Sequence, residues 1–141
     1  IAAYFLNAFR EMFARREWQC TISVDGVPTP LPKRVSLIMI ANIGTVGLGD
    51  MRWGPDIRPD DGEVDVCIIR ARTAADYLAV LKDLWQRAPG QSSETSYLRA
   101  KKEILLTSVR PMPMRIGGKT IARSSLRVKI IPHGVNIVTP A

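Results

Sequence analysis

The chain has 141 residues, and 20 Lys and Arg against 13 Asp and Glu give it a net charge of +7. That length supports one domain with a real core and excludes two full ones. Hydrophobic residues at 46% and charged residues at 23% exclude a disordered chain, and no run approaches the ~18 apolar residues that cross a bilayer.

The chain opens Ile-Ala-Ala-Tyr, without an initiator Met and without the basic and apolar regions of a signal peptide. The expectation is a fragment of something longer, with an N-terminal partner missing. Residues 2 to 16 are predicted to be helical: Tyr4, Phe5, Ala8, Phe9, Met12 and Phe13 recur at helical spacing. A basic amphipathic helix of this kind can lie on a membrane, but packing on a sheet is the commoner use of so narrow a stripe.

The period then changes. Trp18, Cys20, Ile22 and Val24 alternate with polar residues and predict a half-buried strand ended by Asp25-Gly26. Pro28, Pro30 and Pro32 keep the next segment out of a sheet interior. Val35 to Ala41 is a continuous apolar run, which predicts a strand buried on both faces. Residues 42–61 form a long loop with glycines at 44, 47, 49 and 54, and loops of this length are usually functional.

Val64 to Arg70 is predicted as the next strand. Thr73 and Asp76 form a capping box that opens a helix running to about residue 87. Residues 91–96 read as a polar connection. Further strands are predicted at 100–109, 112–116, 125–131 and 134–138, with reversals at Gly117-Gly118 and His133-Gly134. The predicted fold is mainly β, an antiparallel β-sandwich with an N-terminal helix and one or two further packing helices.

Cys20 and Cys67 belong to no Cys-x-x-Cys pair, so zinc and dithiol chemistry lack ligands. They read as buried free thiols in a reducing compartment, hence a cytoplasmic protein. One histidine, His133, leaves no set for a hydrolase triad. The basic residues are scattered, and the 115–129 stretch has no interleaved aromatic, which disfavours nucleic acid.

The chemistry concentrates in the 42–66 region. Asn42 ends an apolar strand and can both donate and accept. Gly47 and Gly49 permit close backbone approaches. Asp60-Asp61-Gly62 is an acidic turn whose carboxylates and carbonyls suit a hard cation such as Mg²⁺, although such turns are more often only turns.

As an ordered set these features are more specific. Asn42 with Gly47-Leu48-Gly49, then Pro59-Asp60-Asp61-Gly62-Glu63-Val64-Asp65-Val66, then Lys129-Ile130-Ile131-Pro132 and Val135 to Pro140 resemble the C-terminal domain of the diacylglycerol kinase-like lipid kinases, a family that includes bacterial lipid kinases and sphingosine kinases. The resemblance runs from about Trp18 to the end. It implies that residues 1–141 are the lipid-facing half of a two-domain enzyme, and that the missing N-terminal domain carries a Gly-Gly-Asp-Gly-Thr nucleotide motif. Phosphate would pass from ATP to a lipid hydroxyl in the cleft between the halves, so this half alone would be inactive.

The resemblance also implies a structural Mg²⁺ held by Asp61 with the carbonyls of Arg58 and Glu63, and a second Mg²⁺ accompanying ATP. Asn42, Gly47, Gly49 and Lys119 become candidates for the cleft. The family's proposed base, the first acid of Asp-Gly-Glu, falls on Gly117, which has no side chain to take a proton. The catalytic residue is therefore unassigned: the alignment is displaced, or Asp50, Asp56 or Asp60 serves, or the protein is an altered member. The alternative is a non-catalytic sandwich that binds an anionic lipid or phosphorylated ligand. Peripheral contact with the inner membrane face, and a homodimer through a sheet edge, stay open.

Overall fold

A computed structural model describes residues 18–31, 35–44, 54, 56–86, 93–132 and 134. The predicted helix at 2–16, residues 135–138 of the strand predicted at 134–138, His133, Asp50 and the glycines at 47 and 49 lie outside the described residues. Among the described residues are seven strands and one helix: β1 (Cys20–Val24), β2 (Val27–Thr29), β3 (Leu37–Ala41), β4 (Val64–Ile69), α1 (Ala74–Trp85), β5 (Thr95–Ala100), β6 (Glu103–Ile116) and β7 (Lys119–Lys129). They form two antiparallel sheets, ordered β2-β1-β6-β7 and β3-β4-β5. The mainly β sandwich expected from the sequence is what forms.

The alternation in β1 sets the inner face of the first sheet. Ile22 is buried, while the Thr21 hydroxyl on the other side meets that of Thr107 at 2.6 Å. Ile22 joins Ile104 and Leu106 of β6, Val66 and Ile68 of β4, and Ala100 of β5 in one apolar cluster, which glues the two sheets together. Residues on the opposite face of β4, Cys67 and Ile69, pack with Val80 and Leu84 of α1 in a second cluster. The layers are therefore sheet, sheet and helix, with β4 buried on both faces.

That corrects the reading of Val35–Ala41. Its apolar run forms β3, an edge strand with Leu37 exposed, and the doubly buried strand is β4. A continuous apolar run does not say which strand will sit in the middle, because sheet order is set by pairing rather than composition. A second correction concerns residues 91–96: Thr95 already begins β5, whose pairing with β4 runs from Ile69↔Thr95 to Val64↔Ala100. A third joins the strands predicted at 100–109 and 112–116 into one, β6, with a register break between Thr107 and Met112. β7 starts at Lys119, six residues earlier than its apolar end suggested.

The local turn and cap signals are confirmed. Thr73 Oγ1 accepts from the Asp76 N–H at 3.2 Å, and the Asp76 carboxylate accepts from the Thr73 N–H at 2.9 Å. The Thr73 and Arg72 N–H groups hold that carboxyl below its ordinary range. Asp25 and Gly26 sit at φ 54° and 85°, the two left-handed positions that a two-residue hairpin turn requires. Pro28 follows in β2, and its missing N–H is tolerated because β2 is an edge.

Candidate functional site

The antiparallel order brings one end of both sheets together. β4 begins there at Val64, β5 ends at Ala100, and after two intervening residues β6 begins at Glu103. The acidic turn, the Asp25-Gly26 turn and the chain leaving β7 all meet at this corner. A Cβ at Gly62 would stand 3.7 Å from the ring of Pro132.

Arg99, on the last turn of the β5 ladder, organises the acidic segment. Its Nε lies 3.1 Å from Asp65 Oδ1 and 3.2 Å from Glu63 Oε2, and its guanidinium also donates to the Asp56 carbonyl at 3.1 Å. The Asp65 carboxylate is buried, so its charge needs this partner. Bonding to Asp65, with the Glu63 and Asp61 charges nearby, raises the Arg99 pKa further. Lys101 Nζ meets Glu63 Oε1 at 2.9 Å, and that bond raises the Lys101 pKa in turn. Both Glu63 oxygens are thus engaged by cations.

Asp61 is exposed, and its Oδ1 accepts from the Glu63 N–H at 2.9 Å across Gly62, which sits at φ 73°. The Arg58 side chain turns away to pair with Asp56 at 3.1 Å, both groups in solvent. Of the three residues expected at a Mg²⁺ ion, Asp61 offers a carboxylate and the other two only carbonyls. Among the described residues no group of three or more His, Cys, Asp or Glu converges on one point. Oxygen donors of this kind fit a hard cation, most of whose ligands would be backbone carbonyls and water.

Asn42 is exposed directly past β3, whose last residue, Ala41, pairs with Asp65. The structure therefore places it at the same corner. Beyond it the loop is drawn in on Ile57: a Cβ at Gly44 would approach the Ile57 carbonyl oxygen to 3.0 Å. Gly44 is glycine because backbone lies where a side chain would begin.

Asp25 was not singled out by sequence reading, yet it ties the corner together. Its carboxylate accepts from the backbone N–H groups of Lys101, Lys102 and Glu103, at 2.9, 2.7 and 3.0 Å. Those bonds, that of Lys101 foremost, hold its pKa below the ordinary carboxylate range. Beside it an open groove of about 340 Å³ runs between the Asp25-Gly26 turn, Lys102, Lys129 and Ile130–Ile131.

Lys119 and Gly117 are elsewhere. Gly117 and Gly118, at φ 55° and 80°, form the two-residue turn between Ile116 and Lys119 at the far end of the β6–β7 ladder. The 14-residue β6 separates this turn from the acidic corner, roughly 40 Å along a straight strand. The structure does not bring Lys119 to Asn42 and Asp61. Asp56 and Asp60 lie with the acidic turn, at the opposite end of the ladder from the position they were considered to replace. Both thiols are free; Cys67 is buried as expected, whereas Cys20 is only half-buried, and burial pushes both thiols up.

With this geometry in hand, the family description "YegS C-terminal NAD kinase beta sandwich-like domain" matches residues 1–139. The chain belongs to that family. No curated protein sequence matches it. Two solved structures from Bacillus anthracis str. Sterne, each described as a candidate diacylglycerol kinase, are similar at 16% and 17% identity with TM-scores of 0.64 and 0.66. A third, described as a diacylglycerol kinase from the same organism, is similar at 15% identity and a TM-score of 0.61. The first two cover 91% of this chain, but the chain spans only 43% and 41% of theirs. The similarity is therefore one of fold, and the resemblance to the C-terminal domain of the diacylglycerol kinase-like family holds. Among the described residues no helix is long and apolar enough to cross a membrane.

Proposed function

We propose that this chain is the lipid-facing half of an ATP- and Mg²⁺-dependent lipid kinase, which transfers phosphate to a lipid hydroxyl in a cleft shared with a nucleotide-binding domain. The observation that carries this reading is the family match across residues 1–139, supported by the sandwich it shares with the three kinase structures. Phosphoryl transfer depends mostly on positioning and on neutralising phosphate charge. Lys119, at the tip, and Arg123, four residues along β7, are the exposed cations that would do so from this half. Asn42, at the other end of the ladder, would lie away from that point of transfer. A Mg²⁺ at Asp61, completed by the carbonyls of Arg58 and Glu63, would brace the acidic turn rather than act on substrate.

One observation favours a second reading, a non-catalytic module for an anionic lipid or phosphorylated ligand. The family's acid position falls on Gly117, which has no side chain to take a proton and sits in an open turn at φ 55°. The full-length protein, incubated with ATP, Mg²⁺ and diacylglycerol, decides between the two. Phosphorylated lipid is the expected product. Its absence from folded, nucleotide-binding protein would leave only the binding role.

A further inference from the structure

All 13 Asp and Glu of the chain lie before residue 104, whereas six of the 20 Lys and Arg lie after it. The last part of the chain thus holds nearly all of the net charge, and none of it is offset by an acid from the same segment. This segment begins with β6 and β7. β1 pairs with β6 only as far as Ser108, so beyond that point β6 and β7 run on as a two-stranded ribbon. Met112 and Met114 reach back to the core, and every other residue from 109 to 125 is exposed.

The ribbon mixes cations with exposed apolar side chains. Val109, Ile116 and Ile121 are 81%, 50% and 39% exposed, alongside Arg110, Lys119 and Arg123. Ile116 flanks the glycine turn at the extreme tip. We propose that this ribbon is a docking element for an anionic lipid surface, its cations on the headgroups and its tip isoleucine among the acyl chains. An apolar residue at a tip ringed by cations is what an interfacial anchor requires, since long basic side chains reach headgroups while apolar ones enter the boundary. A nucleic acid would instead reward aromatic platforms, and none follows Tyr97. A second copy of the chain meeting this one ribbon to ribbon would bring its own cations against these.

The proposal deepens the lipid-kinase reading but is measured without ATP, so the two can fail separately. Sedimentation of full-length protein with vesicles of phosphatidylcholine, alone or with phosphatidylglycerol, reads it directly. Binding is expected only with the anionic lipid, and is expected to fall as salt rises. Each neutralised cation is expected to cost about fivefold in partitioning. Arg110→Gln with Arg123→Gln therefore costs roughly 25-fold, and Ile116→Ser lowers binding without changing its salt dependence. These side chains are exposed, and unchanged melting curves would show that the fold survives. Equal binding to both vesicle types would overturn the proposal, as would a double variant that binds like the parent. So would cations whose loss abolishes nucleic-acid binding or self-association while leaving vesicle binding intact.

Discussion

The two ends of the β6–β7 ladder are built to opposite rules. At the root, Glu103 lies beside backbone held by Asp25, a few residues from the Arg99 pairs and above an apolar cluster drawn from both sheets. At the tip, two glycines turn the chain in open solvent. Both ends are polar and both are hairpin-like, but the root ties acids to cations and to backbone N–H groups, and the tip segment has no acid. The comparison teaches that charge at the root is structural, holding two sheets in register, while the tip carries exposed cations such as Lys119 and Arg123 in a segment that holds no acid.

The largest test of that contrast is in the apolar part. Ile104 is fully buried at the root, so Ile104→Ala should cost about 2–5 kcal/mol. Ile116→Ala at the exposed tip should fall within about 0.5 kcal/mol of the parent. Urea unfolding of the two variants measures the ratio, and comparable losses would mean that the ribbon is packed after all.

Next in size is Arg99→Met. It leaves the buried Asp65 carboxylate without its guanidinium, which in a fully buried pair costs 3–5 kcal/mol. Because Arg99 is itself 41% exposed, water can partly replace it, and about 2 kcal/mol is expected. The companion Arg123→Met at the ribbon should change stability little, measured in the same way.

Asp25 gives the root a pH dependence that the tip lacks. Its carboxyl is held below the ordinary value in the folded state, so the unfolded chain takes up the proton first as pH falls. The stability it contributes is complete above the unfolded carboxylate pKa, near 4, and is lost as pH drops through the depressed folded value. Asp25→Asn, which tolerates the left-handed φ of 54° where Ala would be strained, removes the charge alone and should lower the melting temperature at neutral pH. It should also flatten the acid limb of the melting curve, with the two proteins converging at the lowest pH. Asp76 contributes a similar acid limb through its cap bonds, so the flattening should be partial.

What the sequence made legible follows the range of the interactions. The Thr73 cap, the Asp25-Gly26 and Gly117-Gly118 turns and the Asp61 turn are each closed within a few residues, and local residue chemistry specifies them. The β4–β5 pairing and the Asp25 contacts are not local. Asp25 reaches Lys101 across 76 positions, and no pattern near either residue announces the other. β5 was obscured because Thr95-Ser96-Tyr97-Leu98-Arg99-Ala100 follows a polar stretch and lacks clean alternation, and with it went the Arg99–Asp65 pair that its register creates. The predicted strands at 100–109 and 112–116 are continuous in β6, although it contains Pro111 and Pro113. Pro111 falls in the interruption of the β7 ladder between Thr107 and Met112, and Pro113, paired with Ala122, lies where β1 has ended and β6 has become an edge, where proline is tolerated.

The smallest expected effect on stability returns to the tip. Gly117 sits at φ 55°, where Ala is strained by about 1 kcal/mol but Asp is tolerated, and Asp-Gly is a favoured pair for this turn. Gly117→Asp should therefore unfold within a few tenths of a kcal/mol of the parent, whereas Gly117→Ala should be measurably weaker. Under the proposed function the aspartate also restores a carboxylate where the family resemblance expects one. A proton acceptor at that position would raise lipid phosphorylation by the full-length protein, and Gly117→Ala would not. Activity unchanged in both variants would mean that the tip takes no part in the chemistry, leaving its cations to the surface on which they dock.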